Sequence, residues 1–407
     1  MPSITDLRGW SRLTAAVADE VVVGTVYDMH RAISDGTYRW IGPVGRPVQR
    51  ITDAVTDNVY GLVRVSIRGV GELGAMAAGR LGSDTIASSP AAEKARAIAH
   101  GVVGDDRIAV APELDIHLGL RHNGVEVATD PASLRAAYPS ASGRVVVFVH
   151  GLVDTEAVWS ARPEAGVALP DLVDRLDATP VLVRYGTGRS IGRNGADLAD
   201  QLEALVGGWP VPVTDLILVG HSMGGLLIRA ACITAVVEEQ AWTQSLHDIV
   251  YLGTPHFGSW LEKAANTGSW VLRHASTRSA PIGTLLDGRS RGIKDLRFGM
   301  LTEDGWDDAP IDDLLTGRFP DEPWLPGVTH HLVVGRLRAW DHHPLNHLFG
   351  DSLVRKGSAS GAGRRRQIAG QGEVRVAHVP HPHTHLTNAP PVAELLGDIV
   401  AAEPAAG

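Results

Sequence analysis

The sequence predicts an α/β fold, a mostly parallel sheet with helices on both faces, and three observations carry that expectation. From about residue 108 onward, short apolar runs rich in β-branched residues alternate with segments of helical period. One of them, Arg144-Val-Val-Val-Phe-Val149, is apolar throughout after its first residue, as in strands covered on both faces. Gly220-His-Ser-Met-Gly-Gly225 then joins an apolar strand to an apolar helix through a glycine-flanked serine.

Residues 1–105 are rich in Ala, Val and Gly and read as an N-terminal helical region. Leu13, Val17 and Val21 recur at i+4, with Met29 and Ile33 near the same stripe; Val48, Ile51, Val55, Val59 and Leu62 form a second face. Pro43 and Pro47 separate the two segments. Residues 70–81 are a poor isolated helix, because Gly71, Gly74 and Gly79 interrupt them, at about 1 kcal/mol each relative to alanine. Residues 114–120 and 125–127 flank His122-Asn-Gly124, a hairpin signal. Further strands are expected at 144–149, 180–184, 215–219, 249–252, 331–334 and 373–379. Helices are expected at 169–176, 194–206 and 223–237, and from Pro390, which suits a first helical turn. Residues 106–407 thus read as one α/β domain, with 257–327 as a lid-like insertion where the strand rhythm is lost.

Composition narrows the function. Of 407 residues, 37 are Lys or Arg and 46 Asp or Glu, a net charge of −9 that does not suit a nucleic-acid binder. With 44% hydrophobic and 20% charged residues the chain has the makings of a sizeable core. One cysteine, Cys232, forbids an intrachain disulfide. The start lacks the layout of a secretory signal and no apolar run reaches the length of a membrane span, so a soluble, cytoplasmic protein is expected.

The chemistry centres on Ser222. Glycines two positions before and after it suit a tight strand-to-helix turn that lifts the hydroxyl above the sheet. Backbone N–H groups must then stabilise a developing oxyanion. Met223, directly after the serine, supplies one; Leu152, in the His150-Gly-Leu-Val-Asp154 loop, supplies the other, with Val153 as the alternative. The base is a histidine late in the chain. His385 is favoured, just before the Pro390 helix, with His383 and His381 in the same loop as alternatives. A metal reading of these three alternating histidines is weaker, since no cysteine or spaced carboxylate lies near them. The acid is Asp351, or else Asp341; both follow the 331–334 strand.

The segment from about 140 to 400 resembles the α/β-hydrolase superfamily, and within it the lipases and esterases that include the inositol-deacylase-like (PGAP1-like) group. Four stretches carry the resemblance: Phe148-Val-His-Gly-Leu152; Tyr185-Gly-Thr-Gly188 with Asn194-Gly195; the Ser222 turn; and Leu252-Gly-Thr-Pro-His-Phe-Gly-Ser259. The resemblance implies that Gly253 to Ser259 lie beside the active site, with His256 structural or pocket-lining. Gly350-Asp-Ser-Leu-Val354 matches the Gly-Asp-Gly-x-Val stretch that bears the acid, with Ser352 in place of the second glycine. Inositol deacylation is not implied, since such eukaryotic members sit in a membrane.

The expected activity is cleavage of a small acyl ester or lipid through an acyl-serine, needing no metal or organic cofactor. An acyltransferase sharing that intermediate and a non-catalytic scaffold are the other two readings. The insertion, with Trp260, Trp270, Leu272, Trp306 and Trp324, would cover an acyl pocket. The N-terminal helices would pack on the catalytic domain or another subunit, or touch a lipid surface through Arg46, Arg50, Arg64 and Arg68.

Overall fold

The structure, a computed structural model, describes residues 90–103, 115–160, 164, 166–257, 290–298, 301–302, 324–335, 368 and 372–402. The chain divides into two compact units, residues 1–99 with 262–289, and residues 100–261 with 290–407. The helical stripes expected before residue 90, and most of the expected lid, lie outside the described residues.

The described strands form one eight-stranded sheet: β1 (Gly119–His122), β2 (Val125–Val127), β3 (Arg144–Val149), β4 (Thr179–Arg184), β5 (Asp215–His221), β6 (Leu246–Leu252), β7 (Thr329–Gly335) and β8 (Glu373–Val379). Their order is β2-β1-β4-β3-β5-β6-β7-β8. From β4 to β8 all neighbours are parallel, while β1 and β2 are an antiparallel hairpin on one edge. Asn123 and Gly124 both have positive φ, 51° and 77°, which two-residue hairpin turns require. The first hairpin strand begins only at Gly119, not at residue 114 as the apolar run suggested. The described helices are α1 (Pro90–Val103), α2 (Pro131–Ala137), α3 (Leu169–Asp174), α4 (Ile191–Gly208), α5 (Met223–Val237), α6 (Arg291–Phe298) and α7 (Pro390–Ala401). None is long and apolar enough to cross a membrane.

Alternation along β3 builds two cores. Val145, Val147 and Val149 face one layer with Leu198 and Leu202 of α4 and Leu226 and Leu227 of α5. Val146 and Phe148 face the other, with Leu169 and Val173 of α3 and Val392 and Leu396 of α7. Burying each such side chain stabilises the fold by roughly 1.5–3 kcal/mol, which is why an all-apolar strand is tolerated where both faces of the sheet are covered. Helix α5 is buried on most sides; its Cys232 is enclosed, and that burial pushes the thiol up to about 12. The chain runs from β3 to β4 on one side and later to β5 on the other. The sheet therefore changes direction between β3 and β5, and loops leaving their C-terminal ends diverge to open a crevice.

Candidate active site

Ser222 stands at that crevice, between the end of β5 and the first residue of α5. Its φ of 53° and ψ of −118° form a conformation costing an L-residue about 1–3 kcal/mol. The bend is held from both sides. Ser222 N–H donates to Leu252 O of β6 at 2.8 Å. Gly224 abuts the end of β3, where a Cβ would come within 2.4 Å of Val149 O. As the first helical residue, Met223 has no intrahelical acceptor for its N–H.

The loop after β3 is fixed residue by residue. His150 is buried and stacks on Tyr185 with ring centroids 4.5 Å apart. Tyr185 N–H donates to His150 Nε2 at 3.3 Å, leaving Nδ1–H to donate to Gly151 O at 2.9 Å. Tyr185 O–H donates to His150 O, and burial, with Asp154 nearby, pushes this hydroxyl's pKa up so that it stays a donor. Gly151 lies against the serine, where a Cβ would meet Ser222 Cβ at 3.2 Å. Val153 has φ 52°, an uncommon conformation for a β-branched residue, and its N–H donates to Thr187 Oγ1 at 3.2 Å. Asp154 N–H is likewise engaged, on Gly151 O at 3.3 Å. Beyond this loop, buried Glu156 pairs with buried Arg184 through two hydrogen bonds, at 2.6 and 2.5 Å.

The three C-terminal histidines go to different places. His383 opens a short 3-10 turn after β8 and is 3% exposed. Its ring lies 4.9 Å from that of His221, the residue before Ser222, and His221 Nε2 is 3.1 Å from His383 O. A Cβ on Gly253, which follows the Leu252 that anchors Ser222, would come within 2.9 Å of His383 Nδ1. His385 has a side chain 51% exposed, with Nδ1 2.9 Å from Glu164. His381 Nε2 faces the same carboxylate at 3.5 Å. Among the described residues no cluster of three or more His, Cys, Asp or Glu is arranged for a metal, and none hydrogen-bonds Ser222 Oγ. Nucleophile–base contacts are often long until substrate binds. Asp351 and Asp341 lie outside the described residues.

His256 is buried among aromatic rings, 5.0 Å from Tyr251 and 5.2 Å from Trp324. Among the described residues neither ring nitrogen has a hydrogen-bond partner, and burial, helped by Arg229 and His330, holds its pKa well below the usual histidine value. It is a neutral, enclosed residue. Part of the expected insertion also reaches the crevice: a Cβ on Gly292 of α6 would lie 3.1 Å from Met223 Cε, and Asp295 accepts from Ile191 N–H at 2.8 Å. Sequence reasoning does not single out His100, Thr187, Glu156 or Arg184. Of these only Thr187 lies in one of the four family-like stretches, and its partner is 34 positions away.

The sequence model of the Alpha/beta hydrolase family matches residues 146–395. Among solved structures, a Bacillus licheniformis lipase in its propeptide form is 16% identical, with a TM-score of 0.42 over 65% of this chain. The match covers 51% of that lipase chain, so this protein spans about half its length. The mature form of the same lipase is also 16% identical, with a TM-score of 0.40 over 63% of this chain and 91% of that one. Aspergillus fumigatus lipase B is 13% identical, with a TM-score of 0.40 over 69% of this chain and 59% of that one. No curated protein matches the sequence. The match runs from β3 into α7, across the serine bend and the loops around it, and the chain belongs to the alpha/beta hydrolase family.

Proposed function

We propose that this chain is a serine hydrolase that cleaves carboxylic, lipid-like esters through an acyl-serine, within the lipase-like PGAP1-related group. The strained Ser222 bend at the crevice between β3 and β5 carries this reading, and Leu152 and Met223 N–H are the oxyanion donors that it calls for. A conformation that costs stability and exposes a hydroxyl at the ligand-binding edge of a sheet has a use in attack on a carbonyl. The general base in this reading is His383, enclosed beside His221, in place of the half-exposed His385 that the sequence favours, and Asp351, with Asp341 as the alternative, is the acid that orients it. Ser222 Oγ adds to the ester carbonyl as its proton passes to the imidazole. The tetrahedral oxyanion accepts from Leu152 and Met223 N–H, and its collapse expels the alcohol, which takes the proton. Water then repeats the sequence on the acyl-enzyme and releases the acid.

A fluorophosphonate probe is expected to label the wild-type chain once, on the peptide containing Ser222, and to leave Ser222→Ala unlabelled. A series of p-nitrophenyl esters of increasing acyl length would define the acyl preference. Folded protein that resists the probe and turns over none of the esters would end this reading.

A further inference from the structure

The loop that offers Leu152 N–H is braced by residues far from it in sequence. Val153 holds a left-handed backbone with its N–H on Thr187 Oγ1. Thr187 in turn sits in the Gly186–Gly188 turn after β4, which is packed against the last turn of α1. His100 there is fully buried, its Nδ1 accepting from Gly188 N–H at 3.1 Å and its Nε2 on Asp115 Oδ1 at 3.2 Å. Packing is close: a Cβ on Gly186 would lie 2.3 Å from His100 Cε1. The next residue, Gly101, approaches both partners at once, since a Cβ on it would lie 2.7 Å from Val153 Cγ1 and 2.8 Å from Thr187 Oγ1. Ser290 Oγ donates to Gly101 O and holds that turn from outside.

We propose that Thr187 and His100 are positioning residues for the oxyanion hole: His100 holds the Gly186–Gly188 turn, and Thr187 takes up Val153 N–H so that Leu152 N–H is left aimed at the substrate oxygen. This rests on the serine-hydrolase reading above. The direction of the effect follows from chemistry. An oxyanion donor acts on the transition state more than on the bound ester, so a loosened loop lowers kcat while KM changes little. If Thr187 or His100 merely supported the fold, their loss would lower stability with no such asymmetry.

The test uses the full chain and p-nitrophenyl butyrate. Thr187→Val keeps the shape and removes the acceptor; it is expected to lower kcat about 30-fold with KM within about threefold, part of the roughly 100-fold or greater loss that follows removal of a donor. Thr187→Ser, which keeps the hydroxyl, should stay within about threefold of wild type in kcat, on the same logic. His100→Leu should lose at least about tenfold, and His100→Asn, whose amide oxygen can replace Nδ1, should recover most of it. Hydrogen exchange of the peptide spanning residues 150–158 should speed up in Thr187→Val and not in Thr187→Ser. The proposal is overturned if Thr187→Val keeps wild-type kcat, if Thr187→Ser falls as far, or if amide exchange does not change. Should Thr187→Val fail to fold, the His100 pair decides the matter in its place, and equal loss in His100→Leu and His100→Asn overturns the proposal. A wild-type chain that neither labels nor turns over ester sinks the serine-hydrolase reading, while the exchange measurement still judges the brace.

Discussion

His383→Ala is expected to abolish ester turnover, lowering kcat on the order of 10⁴-fold, while His385→Ala keeps it within about fivefold. The two residues share a three-residue turn but not an environment. His383 is enclosed next to His221 and Gly253, one residue from each of the two positions that define the Ser222 bend. His385 is half exposed and paired with Glu164. A general base must reach the nucleophile, and a surface ion pair contributes little, so the losses should differ by orders of magnitude. Steady-state kinetics on both variants, with folding checked by circular dichroism, measures this. The reverse pattern, with His385→Ala inactive and His383→Ala active, would move the base to the outer histidine.

Arg184→Leu should cost about 3–5 kcal/mol of unfolding free energy, because it leaves the Glu156 carboxylate buried without its two guanidinium hydrogen bonds. Both side chains are under 10% exposed, so water cannot replace the lost partner. The double variant Arg184→Met with Glu156→Leu should regain most of that loss, since neither charge then has to be desolvated. Equilibrium urea unfolding of Arg184→Met, Glu156→Leu and the double variant closes the cycle. A loss below about 1 kcal/mol in Arg184→Leu would mean that the pair behaves like a surface one. The same pair joins the end of β4 to the turn that follows the Leu152 loop, so Arg184→Leu should lose activity as well as stability.

The central architecture was legible because its signals are local. β3 and α5 run over the residues their apolar patterns mark, and the bend between β5 and α5 is written in six consecutive letters. Errors fell at the margins. The strand expected from residue 114 starts at Gly119, and α2 is not among the expected helices although Asp130 caps it and Pro131 opens it. The histidines show a different limit. The place of His385 just before the Pro390 helix ranks it first among the three alternating histidines in sequence but says nothing of burial, and only the 3-10 turn shows that the His383 ring goes inward while His385 stays half exposed. The brace on Val153 is invisible for the same reason, since Val153 and Thr187 lie 34 positions apart and His100 and Gly188 lie 88 apart, and they meet only once the sheet is assembled.

Cys232 has a practical bearing on all of these experiments. The chain carries a single sulfhydryl, enclosed in a helix and too weakly acidic to ionise near neutrality. Electrophiles that in many enzymes are divided between sulfur and oxygen should here spare the sulfur. Covalent stoichiometry then counts competent active sites directly, and the result should be the same whether the preparation is kept in reductant or in air.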